Sequence, residues 1–301
     1  MALVTQESMK VGEDSARALR ERMRDLLRGY SIEITAKDVR SLSEAAPLIP
    51  KGTSISVTFL PGEDADARVA AAGAAKRSGF SPVSHISARR LKSTGELEDF
   101  LSRLHQQGVD RAFVVAGDPA RPEGPYEDAL AIIKSGLLAK HGISRVGISG
   151  YPEGHPQISE EKLWRALKDK HAVLKSLGQE CEITTQFGFD AEPVLAWLER
   201  VRAEGIHSKV RVGIAGPASV KTLLRFAARC GVGASAKVMA KYGVSITKLL
   251  NTAGPDRIIE EFAAGLNPRL HGEVALHFYP FGGVKNTAGW VADFAGLELV
   301  A

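Results

Sequence analysis

Short β-rich runs alternate with segments of helical periodicity along the 301 residues, and this alternation limits the possible fold more than any other feature of the chain. The β-rich runs are 30–35 (YSIEIT), 53–60, 80–87, 111–117, 144–150, 181–189, 209–215 and 274–281 (VALHFYPF). Between them, apolar residues recur at helical spacing over 65–78, 93–107, 126–140, 159–177, 190–204 and 218–230. Strand–helix–strand units cross over right-handedly and pair in parallel, so the chain forms an open doubly wound sheet or a closed barrel. Eight runs favour a (β/α)8 TIM barrel. The expectation is one domain over 1–301, with a helical extension at 1–29 and two or three additional helices in 232–268. Asp190 and, more weakly, Ser159 read as helix N-caps, while Gly108, Gly142, Gly178 and Gly205 stand where helices should end.

An open sheet would need a glycine-rich turn after an early strand to hold a dinucleotide. No GxGxxG follows one, and Gly282-Gly283 comes late and without the helix context. Walker A, GxSxG and HExxH patterns are absent, which leaves hydrolysis and metal catalysis poorly supported. The 39 basic and 35 acidic residues give a formal net charge of +4, too small and too dispersed to argue for a nucleic-acid partner. Cys181 and Cys230 make no disulfide framework or CxxC site and fit a reducing, cytoplasmic setting, with Cys181 read as a buried small hydrophobe. No apolar stretch is long enough for a membrane span, and the N-terminus lacks the features of a signal peptide; residues 7–28 read as an amphipathic helix.

In a parallel barrel, functional side chains gather at the C-terminal strand ends. Those ends carry Glu33 and Thr35, Thr58, His85, Gly117-Asp118, Tyr151 with His155, Gln186, and Tyr279. Glu33 lies between Ile32 and Ile34, so the two-residue period of a strand points it into the barrel or its mouth. Desolvation there favours the protonated carboxyl, which suits a general acid; a buried ion pair with a lysine such as Lys37 is the competing reading. Asp118 either serves chemistry or caps the turn before Pro119, Gln186 either recognises a ligand or satisfies the core, and His85 alone fits either role. In GYPEGHPQ at 150–157, Pro152 and Pro156 forbid a continuing strand or helix. The result is a stiff loop presenting Tyr151, Glu153 and His155, or else an ordinary turn with a solvated histidine.

Taken in order, SIE at 31–33, VTF at 57–59, AGDP at 116–119, YPEGHP at 151–156, LKDK at 167–170, ITTQFGFD at 183–190 and HFY at 277–279 resemble the methylenetetrahydrofolate reductase family across roughly 30–290. The resemblance implies a barrel that holds FAD in its mouth and interconverts 5,10-methylene- and 5-methyl-tetrahydrofolate by a ping-pong route, with NADH or NADPH as electron donor. By resemblance, Tyr151 and His155 contact FAD, Lys170 approaches its phosphates, and Thr58, His85, Gly117, Asp118 and Tyr126 line it. Glu33 matches the general acid that opens the methylene bridge to an iminium, and Asp118 the acid near flavin and pterin. Gln186 matches the amide that binds the pterin, and Tyr279 completes the substrate set. The chain departs from the family at Thr35-Ala36, where two prolines are usual. It also departs at Val220, where an aromatic usually stacks on substrate, and at Gly283, near which a polar group often binds it. Two alternatives remain: a relative that passes hydride without flavin, opposed by His85, Tyr151, His155 and Lys170, and a non-catalytic folate-binding barrel, opposed by Glu33. The N-terminal helix and 232–268 each offer surface for a homo-oligomer or for packing on the chain's own barrel.

Overall fold

The computed structural model describes residues 15–60, 62–230 and 252–296. Eight strands close into a barrel: β1 (Ser31–Ile34), β2 (Ser54–Val57), β3 (Ser81–Ser87), β4 (Arg111–Val115), β5 (Arg145–Gly150), β6 (Glu180–Thr185), β7 (Lys209–Ala215) and β8 (Val274–Tyr279). Every pairing is parallel, and β8 returns to β1 with Ser31 opposite His277. The chain therefore has the TIM-barrel fold expected from its alternation.

Each strand alternates between two environments. Ile32, Ile34, Ile55, Val57, Val114, Ile148, Ile183, Val212, Ile214, Leu276 and Phe278 face outward into the main apolar cluster under the helices. Inward-facing positions are largely polar, among them Ser31, Glu33, Ser56, His85, Thr184 and His277. Barrels are more often filled with branched aliphatic residues. At the floor, Arg211 forks onto Glu182 with Nε–Oε2 at 3.0 Å and Nη2–Oε1 at 3.2 Å, and Nη1 donates to Gly29 O at 3.0 Å. Arg111 and Arg145 lie in the same layer.

Helices form over Ala65–Arg77, Thr94–Gln106, Glu160–Ser176, Ala191–Ala203 and Val220–Cys230, close to the expected spans. The segment 126–140 is divided by Gly136, at φ 72°, into Ala129–Lys134 and Leu137–Lys140. Ser159 caps its helix by accepting from Lys162 N, whereas Asp190 occupies an N-cap without a capping bond, the reverse of the expected weighting. Gly108, Gly142, Gly178 and Gly205 all take the left-handed φ of helix ends. Two helices were not foreseen, Val39–Ala45 and Val284–Ala295, which pack against each other. The first is short, and the second carries Asn286, Thr287 and Gly289, residues that weaken a helical signal.

The N-terminal helix is described over 15–26; its expected start at residue 7 lies outside the described residues. Of the expected helices in 232–268, the part over 231–251 also lies outside them. The remainder holds the helix Asp256–Gly265, preceded by Thr252–Ala253, which pairs antiparallel with Ala218–Ser219. Cys181 is half-buried, and burial pushes its thiol up to about 12. Among the described residues, no helix is long and apolar enough to cross a membrane, and no group of three or more His, Cys, Asp or Glu could hold a metal ion.

Candidate active site

β1 presents Ser31 and Glu33 on its inner face, β3 brings His85, and β8 brings His277 and Tyr279. Glu33 Oε2 stands 3.8 Å from His85 Nε2 and 3.9 Å from His277 Nε2. The partners of Glu33 are thus two histidines rather than Lys37, which is exposed in the turn after β1. Ser31 Oγ lies 2.8 Å from His277 Nδ1. The Tyr279 ring meets His277 edge-on at 4.8 Å, and its Oη donates to Thr185 O at 3.1 Å. Burial pulls the His85 imidazole down to about 4, so that ring is neutral at neutral pH; burial also pushes the Tyr279 phenol well up. The space these groups enclose inside the barrel is about 20 Å³, room for one water.

Around this cluster the strand ends build a mouth. Gly117 takes φ 90°, and a Cβ there would collide with Ser87 Oγ, so only glycine closes this turn after β4. Arg89 donates to Pro119 O at 3.1 Å and fixes the same loop. Asp118 is exposed and lies near enough to Tyr151 to raise its phenol pKa, although burial is the larger cause. Thr58 is half-buried, and its N–H donates to Ile34 O at 2.8 Å. In the loop after β5, the Tyr151 and His155 rings meet edge to face at 5.5 Å, Gly154 N donates to Tyr151 O at 3.1 Å, and Gln157 N donates to His155 Nδ1 at 3.2 Å. The segment is the stiff loop its prolines require. Gln186 and Cys230 line the same hollow as Tyr151 and His155, and Gln186 Oε1 accepts the Phe187 N–H at 3.0 Å.

A second apolar cluster, separate from the main core, covers this side of the mouth. Phe226 stacks on Phe281 at 4.0 Å, and Phe187 meets Phe281 at 4.9 Å. Val220 is buried within the cluster, which also holds Phe281 of the loop after β8 and Phe226 of the helix that Val220 begins.

Two residues expected by resemblance to meet FAD are enclosed within the fold. Tyr126 is buried in the main core with Oη 3.4 Å from Thr94 Oγ1. Lys170 is only 6% exposed on the inner side of Glu160–Ser176, near Cys181 and Asp128, and burial draws its amine down to about 8. Neither lines the Glu33 cavity. Conversely, sequence reasoning assigned no role to Ser31, His277, Cys230 or Phe281. A signal existed for the first two: a two-residue step from Glu33 reaches Ser31, and one from Tyr279 reaches His277, on the same inner faces.

Comparison with known proteins places the chain in a family. The family model described as methylenetetrahydrofolate reductase matches residues 30–280. Methylenetetrahydrofolate reductase 2 of Saccharomyces cerevisiae is 28% identical over 149 residues, which make up 45% of this chain and 23% of that protein. The 5,10-methylenetetrahydrofolate reductase of Pectobacterium carotovorum subsp. carotovorum is 26% identical over 192 residues, 64% of this chain and 62% of that protein. The chain thus spans less than two thirds of the length of either relative. Among solved structures, an uncharacterized protein from Clostridium thermocellum that binds two copies of 5-methyl-5,6,7,8-tetrahydrofolic acid superposes with a TM-score of 0.59 at 12% identity, over 89% of this chain and 96% of that one. That likeness concerns the fold alone. With the family model matched from the first strand to the last, the chain belongs to the methylenetetrahydrofolate reductase family.

Proposed function

We propose that this chain reduces 5,10-methylenetetrahydrofolate to 5-methyltetrahydrofolate with electrons from NADH or NADPH. The observation that carries the reading is Glu33, a carboxyl enclosed between two imidazoles at the inner end of the mouth. Its proton goes to a nitrogen of the methylene bridge as the ring opens, and the resulting iminium carbon accepts hydride. Asp118 and Gln186 stand at the rim to position the pterin, and Tyr279 walls the acid from above.

Two routes for the hydride are separated by the placement of the remaining residues. Thr58, His85, Gly117, Asp118, Tyr151 and His155 gather at neighbouring strand ends, and the Tyr151–His155 pair offers a planar ring an aromatic wall. This favours FAD in the mouth. Lys170 and Tyr126 do not join that set: one is enclosed under its own helix with a weakened charge, and the other is hydrogen-bonded in the core. As placed, the eight residues do not make one cradle for a whole dinucleotide. The burial of Lys170 and Tyr126 favours direct transfer from the nicotinamide to folate.

The absorbance of purified protein between 350 and about 500 nm, with an NAD(P)H oxidation assay on methylenetetrahydrofolate, separates the routes. Colourless protein whose activity is unchanged by added FAD supports direct transfer. Stoichiometric flavin that is bleached by nicotinamide and lost in Tyr151→Ala/His155→Ala establishes the flavin route. Absence of folate-dependent NAD(P)H oxidation under both conditions overturns the proposal.

A further inference from the structure

The hydroxyl of Ser31 has two partners. It lies 2.8 Å from His277 Nδ1 and 3.4 Å from Leu276 O. Ser31 and His277 are both almost fully buried, at 1% and 2% exposure, so bulk water does not reach them. A serine hydroxyl donates once and accepts, and the carbonyl can only accept. Two arrangements therefore satisfy every group. In one, Ser31 O–H donates to Nδ1, the ring proton sits on Nε2, and His277 offers an N–H to Glu33. In the other, Nδ1–H donates to Ser31 Oγ, the hydroxyl turns to Leu276 O, and His277 offers a lone pair. The first suits an ionised Glu33 and the second a protonated one. The 3.9 Å between Nε2 and Oε2 becomes a hydrogen bond with about 1 Å of side-chain movement.

We propose that Ser31 is a positioning residue whose rotating hydroxyl lets His277 adopt either tautomer, so that the ring stays paired with Glu33 both before and after the carboxyl gives up its proton. The ring carries one proton in each arrangement, so Ser31 and His277 together keep the same charge while that of Glu33 changes by one. His85, the other neighbour of the same carboxylate oxygen, has no such device among its described contacts: its ring packs on Phe113 at 4.7 Å. The inference rests on Glu33 being the acid of the proposed reaction.

The test uses the full chain labelled with 15N-histidine. Long-range 1H–15N correlation spectra of the imidazoles report the tautomer, with the His277 signals identified by their loss in His277→Asn, and steady-state folate reduction is measured alongside. Wild type is expected to show the Nε2–H form where Glu33 is ionised and the Nδ1–H form where it is protonated, so its His277 nitrogen shifts change across a pH series. Ser31→Ala is expected to collapse them to the Nε2–H form, because an Nδ1–H would be a buried donor without an acceptor. The kcat of Ser31→Ala should fall about tenfold with KM for the nicotinamide unchanged. Ser31→Thr, which keeps the hydroxyl and has the adjoining 20 Å³ space for its methyl, should restore both. A wild-type His277 that keeps one tautomer across the whole pH series overturns the proposal even if the alanine variant does not fold. A Ser31→Ala variant that keeps full kcat overturns it as well. If wild type does not reduce methylenetetrahydrofolate, the proposed function fails, while the nitrogen shifts still decide whether Ser31 governs the ring.

Discussion

At the scale of single residues, the site depends on what burial does to protons. Glu33→Gln keeps the size and the hydrogen-bonding capacity of the side chain but has no proton to give. It is expected to slow methylenetetrahydrofolate reduction about 10²–10⁴-fold while leaving nicotinamide affinity, measured by fluorescence titration, unchanged. Equal loss of both would make Glu33 a structural residue. His85 bears on stability. Its folded pKa of about 4 lies under the unfolded value of 6.5, so the unfolded chain binds the extra proton between those values. Stability is complete above pH 6.5 and declines as pH falls towards 4, by up to about 3 kcal/mol for this one group. Denaturant midpoints of His85→Asn measured from pH 7 to pH 4 should fall less steeply than those of wild type.

At the scale of elements, the helix Glu160–Ser176 carries an amine where an apolar side chain would pack. The folded Lys170 pKa of about 8 is under its ordinary 10.5, so burial works against the folded state at neutral pH and ceases to do so above pH 10.5. Lys170→Met is expected to stabilise the protein at pH 7 by as much as about 3 kcal/mol, with the advantage shrinking as pH rises through 8 to 10.5 in thermal melts. Loss of a bound flavin in that variant would instead show that the amine leaves the helix interface to meet phosphate. Lys170 also marks the limit of what its motif conveys. LKDK in a helix fixes which residue follows which, but the side that faces the barrel depends on packing against Cys181 and the segment at Asp128. By contrast, the eight strands were legible because period-two alternation and the glycines at helix ends are local properties. Glu33 was legible for the same reason. Val284–Ala295 was not, since its helix is held by contact with Val39–Ala45 rather than by its own propensity. The partners of Glu33 were the hardest to foresee, because β1, β3 and β8 meet only once the barrel has closed.

At the scale of the whole molecule, the wall of the barrel separates an apolar layer under the helices from a polar interior, and the interior charge is concentrated at the floor. Arg211 and Glu182 are each 7% exposed. Glu182→Gln leaves an enclosed guanidinium without its counter-charge and should cost about 3–5 kcal/mol in denaturant unfolding, whereas Arg211→Met combined with Glu182→Leu should recover most of the loss. Such recovery would show that the pair is not a net source of stability. The floor has another consequence. A guanidinium has no acceptor with which to take up a proton, so Arg111, Arg145 and Arg211 do not hand protons along, and the carboxylates they lie against, Glu180 and Glu182 among them, hold them in place. The barrel interior is thereby a well floored by paired guanidiniums and carboxylates, with its mouth at the strand ends above. If Glu33 is the acid of the proposed reaction, its proton returns through the doorway by which product would depart, so replenishing the acid would wait for the exit to clear.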